Sequence, residues 1–157
     1  MNRIGIFVDV QNIYYTTRQV YGRQFNYRKL WETVNSEGEI VLAKAYAIQS
    51  EDTKQLKFQS ALKHIGFNVC LKPYIQRRDG SAKGDWDVGI TIDVMDTVGG
   101  LDTLILLSGD GDFDLLLDRV KKKSKVTVEV YGVKELTSNS LIQSASFFHP
   151  IKDSLLL

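Results

Sequence analysis

Two strand-length stretches, RIGIFVDV (3–10) and TLILLS (103–108), carry apolar side chains at consecutive positions rather than at every second one. A strand that alternates can leave one face in water; a strand that does not must be covered on both faces. Helices that connect parallel strands supply that cover. The rest of the chain provides them. Strand-like runs at 40–48, 67–75 and 125–132 are separated by helix-like segments at 11–22, 26–38, 53–66, 85–98 and 112–123. Gly66 stops the third of these helices, and the second ends near Gly38. In the last, Phe113, Leu116, Leu117 and Val120 recur at helical spacing. A helix over roughly 135–145 and a short FFHPI segment close the chain. Alternation of this kind predicts a mostly parallel sheet with helices on both faces. With 157 residues, it is expected to form a single domain over 1–157.

Composition removes several classes of function. A formal net charge of +1 gives no overall attraction to a polyanion, so any basic surface is local. The lone Cys70 forms no intrachain disulfide, fits a reducing compartment, and is expected to be a small buried residue. The N-terminal apolar run is cut short at Asp9, which does not suit a signal peptide. No apolar run approaches the ~20 residues of a membrane span, and a cytoplasmic protein is expected.

The acidic residues are less ordinary. Asp110, Asp112 and Asp114 crowd into five residues where strand 103–108 ends, and Asp9 lies at the end of the first strand. In open parallel sheets, ligands sit beyond the carboxyl ends of strands where the winding reverses. If those two strands are neighbours, Asp9 and Asp110 meet in one crevice. On a wheel of the helix from Asp85, Val88, Thr91, Ile92, Val94, Met95 and Val98 share one arc and Asp87 falls inside it. Asp93 and Asp96 fall on the opposite, polar side. Asp87 then reads either as an inward carboxylate or as a solvated residue of a first helical turn. Asp112 flanks the apolar face of its own helix and either caps it or leans toward the crevice; Asp114 and Asp118 point away. Carboxylates gathered in one place repel one another unless a divalent cation joins them, and an all-oxygen set suits Mg²⁺ or Mn²⁺. A calcium-binding EF-hand is excluded by Leu115 and Lys121, which stand where its glycine and its glutamate would be. His64 and His149 lack metal-site spacing with Cys70 and are read as structural. Gln11 excludes the Asp-x-Asp of haloacid-dehalogenase-like enzymes, Pro73-Tyr74-Ile75 lacks the phosphoacceptor of a receiver domain, and DVQNIYY lacks a dinucleotide fingerprint.

The segments IFVDVQNI, KGDWDVGITIDVMD, LLSGDGDF and VEVYG, in this order over nearly the whole chain, resemble the NYN domain family. The likeness is greatest to its LabA-like branch within the PIN-like nucleases. The resemblance implies a three-layer α/β/α sandwich of Rossmann-like topology, with the first and fourth strands adjacent at its centre. It also implies a metal-dependent RNA endonuclease in which Asp9, Asp87, Asp110 and Asp112 hold Mg²⁺ or Mn²⁺, directly or through water. Asn12 and Ser108 would position water or a phosphate oxygen, and Asp93 would stand behind the site. An RNA- or protein-binding regulatory module of the same fold is the alternative.

The expected substrate is single-stranded RNA. Arg77, Arg78 and Lys83 of the basic loop QRRDGSAKG adjoin Asp87 and could hold backbone phosphates. Tyr14 and Tyr15 could stack on bases. The lysines of KKKSK (121–125) complement a helix C-terminus on the far side. A homo-oligomer or a protein partner is left open.

Overall fold

The structure is a computed structural model that describes residues 1–73 and 85–157, together with the backbone of 75–76 and 82–83. Arg77, Arg78 and the side chain of Lys83 lie outside the described residues.

The first strand, β1 (Arg3–Asp9), runs directly into helix α1 (Val10–Tyr21), and α2 (Tyr27–Asn35) follows it. Next come β2 (Glu39–Ile48), α3 (Thr53–Ile65) and β3 (Asn68–Lys72). Two short segments, β4 (Ile75–Gln76) and β5 (Ala82–Lys83), pair antiparallel where the sequence reads as a loop. After α4 (Asp87–Thr97), the chain continues through β6 (Thr103–Leu107), α5 (Asp114–Lys123) and β7 (Thr127–Gly132). The final helix expected from the sequence is in fact a 3-10 turn, Lys134–Leu136, and then a short α6 (Asn139–Ser144). Ser138, with an extended backbone, separates them. The terminal FFHPI segment is β8 (Phe147–Pro150), which joins the sheet.

The main sheet has six strands in the order β3-β2-β1-β6-β7-β8, all parallel. Winding runs outward in one direction from β1 and in the other from β6. The reversal therefore falls between these two neighbours, where Ile4–Val8 pair with Thr103–Leu107. Side chains divide along the strands as the sequence demands. Ile4, Ile6, Val8, Ile105 and Leu107 pack against Ile13, Leu30, Val34 and Leu62 of α1–α3. Phe7, Leu104 and Leu106 face the other way, onto Ile90 and Val94 of α4, Leu117 of α5 and Leu141 of α6. This is a three-layer α/β/α sandwich, and every one of those residues is fully or almost fully buried. Leu116, Leu117 and Val120 are buried on α5, and Phe113 in the turn just before it, as their spacing predicts. Cys70 is half-buried rather than buried, on the flank of the second cluster.

Helix α4 corrects the wheel. Its buried line is Ile90, Val94 and Val98, whereas Val88 and Ile92 are 70% and 54% exposed. The inward face is thus rotated toward Asp93, which the wheel set on the polar side. Asp93 instead accepts hydrogen bonds from Tyr46 Oη at 2.7 Å and Lys44 Nζ at 3.2 Å. Those polar partners on β2 offset the cost of turning an acid inward. Asp87 remains within the inward arc, between Val94 and Val98 in angle.

Candidate metal centre

The site is built from the junctions that follow β1 and β6. No loop separates β1 from α1, so Asp9 is both the last strand residue and the helix N-cap. Its Oδ1 accepts from Asn12 N at 3.4 Å and its Oδ2 from Ser108 Oγ at 3.1 Å. Ser108 is completely buried just past β6, and its Oγ also accepts from Asp110 N at 3.1 Å. Asn12 returns the connection, its Oδ1 accepting from Gly109 N at 2.9 Å. Two turns nearly a hundred residues apart in sequence are therefore tied into one unit.

Gly109 fits there because it has no side chain. A Cβ at this position would sit 2.7 Å from the Leu136 carbonyl oxygen and 3.1 Å from Thr137 Oγ1. The Gly109 carbonyl in turn accepts from Ser138 N at 3.1 Å. Asp110 caps the next turn, Gly111–Phe113, through an Asp112 N–Oδ1 bond of 2.9 Å. Of the two roles left open for Asp112, capping thus belongs to Asp110, and the Asp112 carboxylate is exposed.

Asp87 enters from the opposite wall as the first residue of α4. Trp86 fixes that end, its Nε1 donating to the Ala47 carbonyl at 2.9 Å and its ring 5.3 Å from that of Tyr46. Carboxylate oxygens of Asp87, Asp110 and Asp112 then lie within 4.8 Å of one another. Asp9 stands behind this trio, its oxygens turned to Ser108 and Asn12. One acid in this neighbourhood was missed in the sequence. Asp85 accepts from Asp87 N at 3.3 Å through Oδ1, and its charge acts on both Asp9 and Asp87. The Asp-x-Asp spacing of DWD, the same as that of DGD, was the available signal.

Electrostatics mark the cluster as overcharged. Burial pushes the Asp9 carboxyl up to about 6, and the charges of Asp110 and Asp85 add to this. The Asn12 and Ser108 hydrogen bonds only partly oppose it. Burial, and then Asp110, raise Asp87 to about 7. Among the described residues, none of Asp9, Asp87, Asp110 and Asp112 forms an ion pair. Surplus negative charge on hard oxygen donors, with no ion pair to these four acids among the described residues, is the donor chemistry that a divalent cation fits.

The other candidates separate cleanly. Asp114 is half-buried and Asp118 exposed on α5, and neither belongs to the trio. His149 pairs with Glu129 at 2.6 Å and stacks on Tyr131. Tyr14 and Tyr15 are exposed on α1. No helix among the described residues is long and apolar enough to cross a membrane.

Comparison with known proteins agrees with this architecture. A protein from Vibrio parahaemolyticus, solved by crystallography as one of unknown function, superposes with a TM-score of 0.95 at 53% identity. The match covers 99% of this chain and 96% of that one. The low amplitude and bright protein LabA of Synechococcus elongatus is 30% identical over 136 residues, 81% of this chain and 73% of LabA. The family model described as NYN domain matches residues 3–152, which takes in β1, α4, β6 and every acid of the cluster. The chain belongs to the NYN domain family.

Proposed function

We propose that the protein is a ribonuclease that hydrolyses RNA phosphodiester bonds with the help of Mg²⁺ or Mn²⁺. The observation that carries this reading is the trio of Asp87, Asp110 and Asp112, without an ion pair among the described residues, at the carboxyl edge of β1 and β6. Membership of a family whose domains are generally nucleases supports it.

Asp87, Asp110 and Asp112 would hold the cation, and Asp9 would do so through water or by setting the position of Asp110 through Ser108. A bound divalent cation polarises a phosphoryl oxygen, lowers the pKa of water and stabilises the leaving oxygen. The chain's own groups do the rest. Ser108 bridges Asp9 and Asp110 and so fixes the distance between the two turns. Asn12 commits its carbonyl oxygen to Gly109, and its amide nitrogen makes no hydrogen bond among the described residues. That nitrogen is a neutral donor suited to a phosphate oxygen. No covalent nucleophile is required.

Arg77, Arg78 and Lys83 remain candidates for phosphate contacts on the grounds of sequence alone, and Asp93 acts through Tyr46 and Lys44 as a support for α4.

The test is cleavage of labelled single-stranded RNA with Mn²⁺, with Mg²⁺ and with EDTA. Asp87→Asn and Asp110→Asn should remove cleavage, and Asp118→Asn should retain it. Tight RNA binding by the wild type without cleavage in either metal would replace the nuclease with a binding module.

A further inference from the structure

On the α1–α3 face of the sheet lies a groove of about 850 Å³ that begins beside the acidic cluster. Val10 and Gln11, the residues that follow Asp9, line its near end. Tyr27, also in its wall, sits close enough to Asp9 for that carboxylate's charge to raise the phenol, after burial. Its far walls are the C-terminal end of β2 and the first turns of α3, through Ala47–Ser50, Lys54 and Lys57. Only Gln59 and Leu62 of α3 are buried, which leaves the rest of that helix to form the groove's rim.

The chemistry of the lining is selective. Cations at Arg18, Lys54 and Lys57 are interleaved with aromatic rings at Tyr14, Tyr15 and Phe58. No aspartate or glutamate side chain among the described residues contributes to it. Among the described residues, none of the three cations is in a salt bridge. Tyr15 is 59% exposed, while Tyr14 is held from one side by Arg18, which donates to its hydroxyl and lies 5.7 Å from its ring centroid. Leu56, on the same helix as the lysines, is 48% exposed and adds apolar surface next to the groove.

We propose that this groove carries the single-stranded RNA away from the acidic cluster, with Lys54, Lys57 and Arg18 on its phosphates and Tyr15 stacked on a base. The inference rests on the ribonuclease reading and adds the path of the substrate to it. An apolar floor without charges would fit a protein helix as well; cations outside any salt bridge beside exposed rings, with no aspartate or glutamate among the described lining residues, favour a polyanion with π-faces. Val10 and Gln11 at its near end follow Asp9 directly in the chain, so a strand lying in the groove leads toward the carboxylates.

The experiment measures fluorescence anisotropy of a labelled oligouridylate against salt concentration, with Asp110→Asn as the parent so that cleavage does not intervene. Lys54→Ala with Lys57→Ala should weaken binding and flatten the log–log salt slope by about 0.7 for each phosphate that is no longer neutralised. Tyr15→Ala should weaken binding roughly ten-fold and leave the slope unchanged. Alanine at Lys121, Lys122 and Lys123, at the opposite edge of the sheet, should alter neither. All of these side chains are exposed, so the melting temperature serves as the folding control. Groove variants that bind like the parent would overturn the groove, and the ribonuclease reading would stand if the wild type still cleaves RNA. Equal weakening on removing the α5 lysines would overturn it too, since binding would then follow total charge alone. Self-association abolished by Tyr15→Ala, with no RNA bound by the parent, would assign the groove to a second copy. Conversely, binding abolished in the groove variants of a protein that never cleaves RNA would keep the groove and remove the nuclease.

Discussion

Asp9 is the clearest place to test whether the cluster strains the fold when no cation is bound. The carboxyl is 8% exposed and is raised from its ordinary value of 3.8 to about 6, chiefly by burial. Because the folded-state value lies above the unfolded one, the native state binds the proton more tightly. The stabilisation from that proton is fully present below pH 4 and is lost as pH rises through about 6. A rise of about two pH units corresponds to roughly 3 kcal/mol. Asp9→Asn removes the titration while keeping an acceptor oxygen for Asn12 N or Ser108 Oγ. Any fixed cost of the substitution is common to all pH values, so the informative quantity is how the difference between the two proteins changes. In EDTA, the variant should gain on the wild type by roughly 3 kcal/mol between pH 4 and pH 8. For a chain of this size that is a relative gain of about 6–12 °C in melting temperature. Urea unfolding at several pH values gives the free energies directly. A difference that stays constant with pH, or that favours the wild type as pH rises, would refute the claim that Asp9 is held charged against its burial.

Three further outcomes follow from the same geometry. Mn²⁺ at a hundred times its dissociation constant should stabilise the protein by about 2.7 kcal/mol, and Asp110→Asn should lose most of that response; a melting temperature indifferent to Mn²⁺ and Mg²⁺ would count against the site. Gly109→Ala places a methyl group 2.7 Å from the Leu136 carbonyl, so calorimetry should show a lower melting temperature, and cleavage should fall with it as the turn moves away from Asn12. Asp93→Asn should cost about 1–2 kcal/mol at neutral pH in denaturant unfolding, because Lys44 and Tyr46 lose a charged acceptor, while the Mn²⁺ response persists.

The frame was legible because covered strands leave an unmistakable pattern. RIGIFVDV and TLILLS could not be half-exposed strands, and the parallel sheet followed from that. The meeting of Asp9 and Asp110 was conditional on the strand order, which the pattern permits and the resemblance implies; the pairing of β1 with β6 supplies it. Features that depend on partners remote in sequence were not legible. The wheel weighted Val88 and Ile92 as core because they are apolar, yet both are exposed. It set Asp93 outside because it is charged, yet Lys44 and Tyr46, nearly fifty residues earlier, receive it. The Ser108–Asp9 bond spans 99 positions, and no local pattern announces it. The wheel starts the helix at Asp85, whereas α4 begins at Asp87, and so could not give Asp85 its true facing.

The two inward acids of α4 show how the fold distinguishes support from function. Asp87 and Asp93 share one helix, and both face the sheet at a place where burial raises the energy of a charge. Around Asp93 the chain supplies an ammonium group and a phenol, each within hydrogen-bonding distance. Around Asp87 it supplies further carboxylates, Asp110 and Asp112 first among them. A fold selected for stability alone would compensate both positions alike, because a lysine or tyrosine at the end of β1 or β6 would remove the repulsion. Instead the turn after β6 brings in two acids, and Ser108 and Asn12 use their hydrogen bonds to hold that turn against Asp9. The bonds therefore maintain the repulsion rather than relieve it. A hard divalent cation would complete such an arrangement, because oxygen donors of this charge suit one.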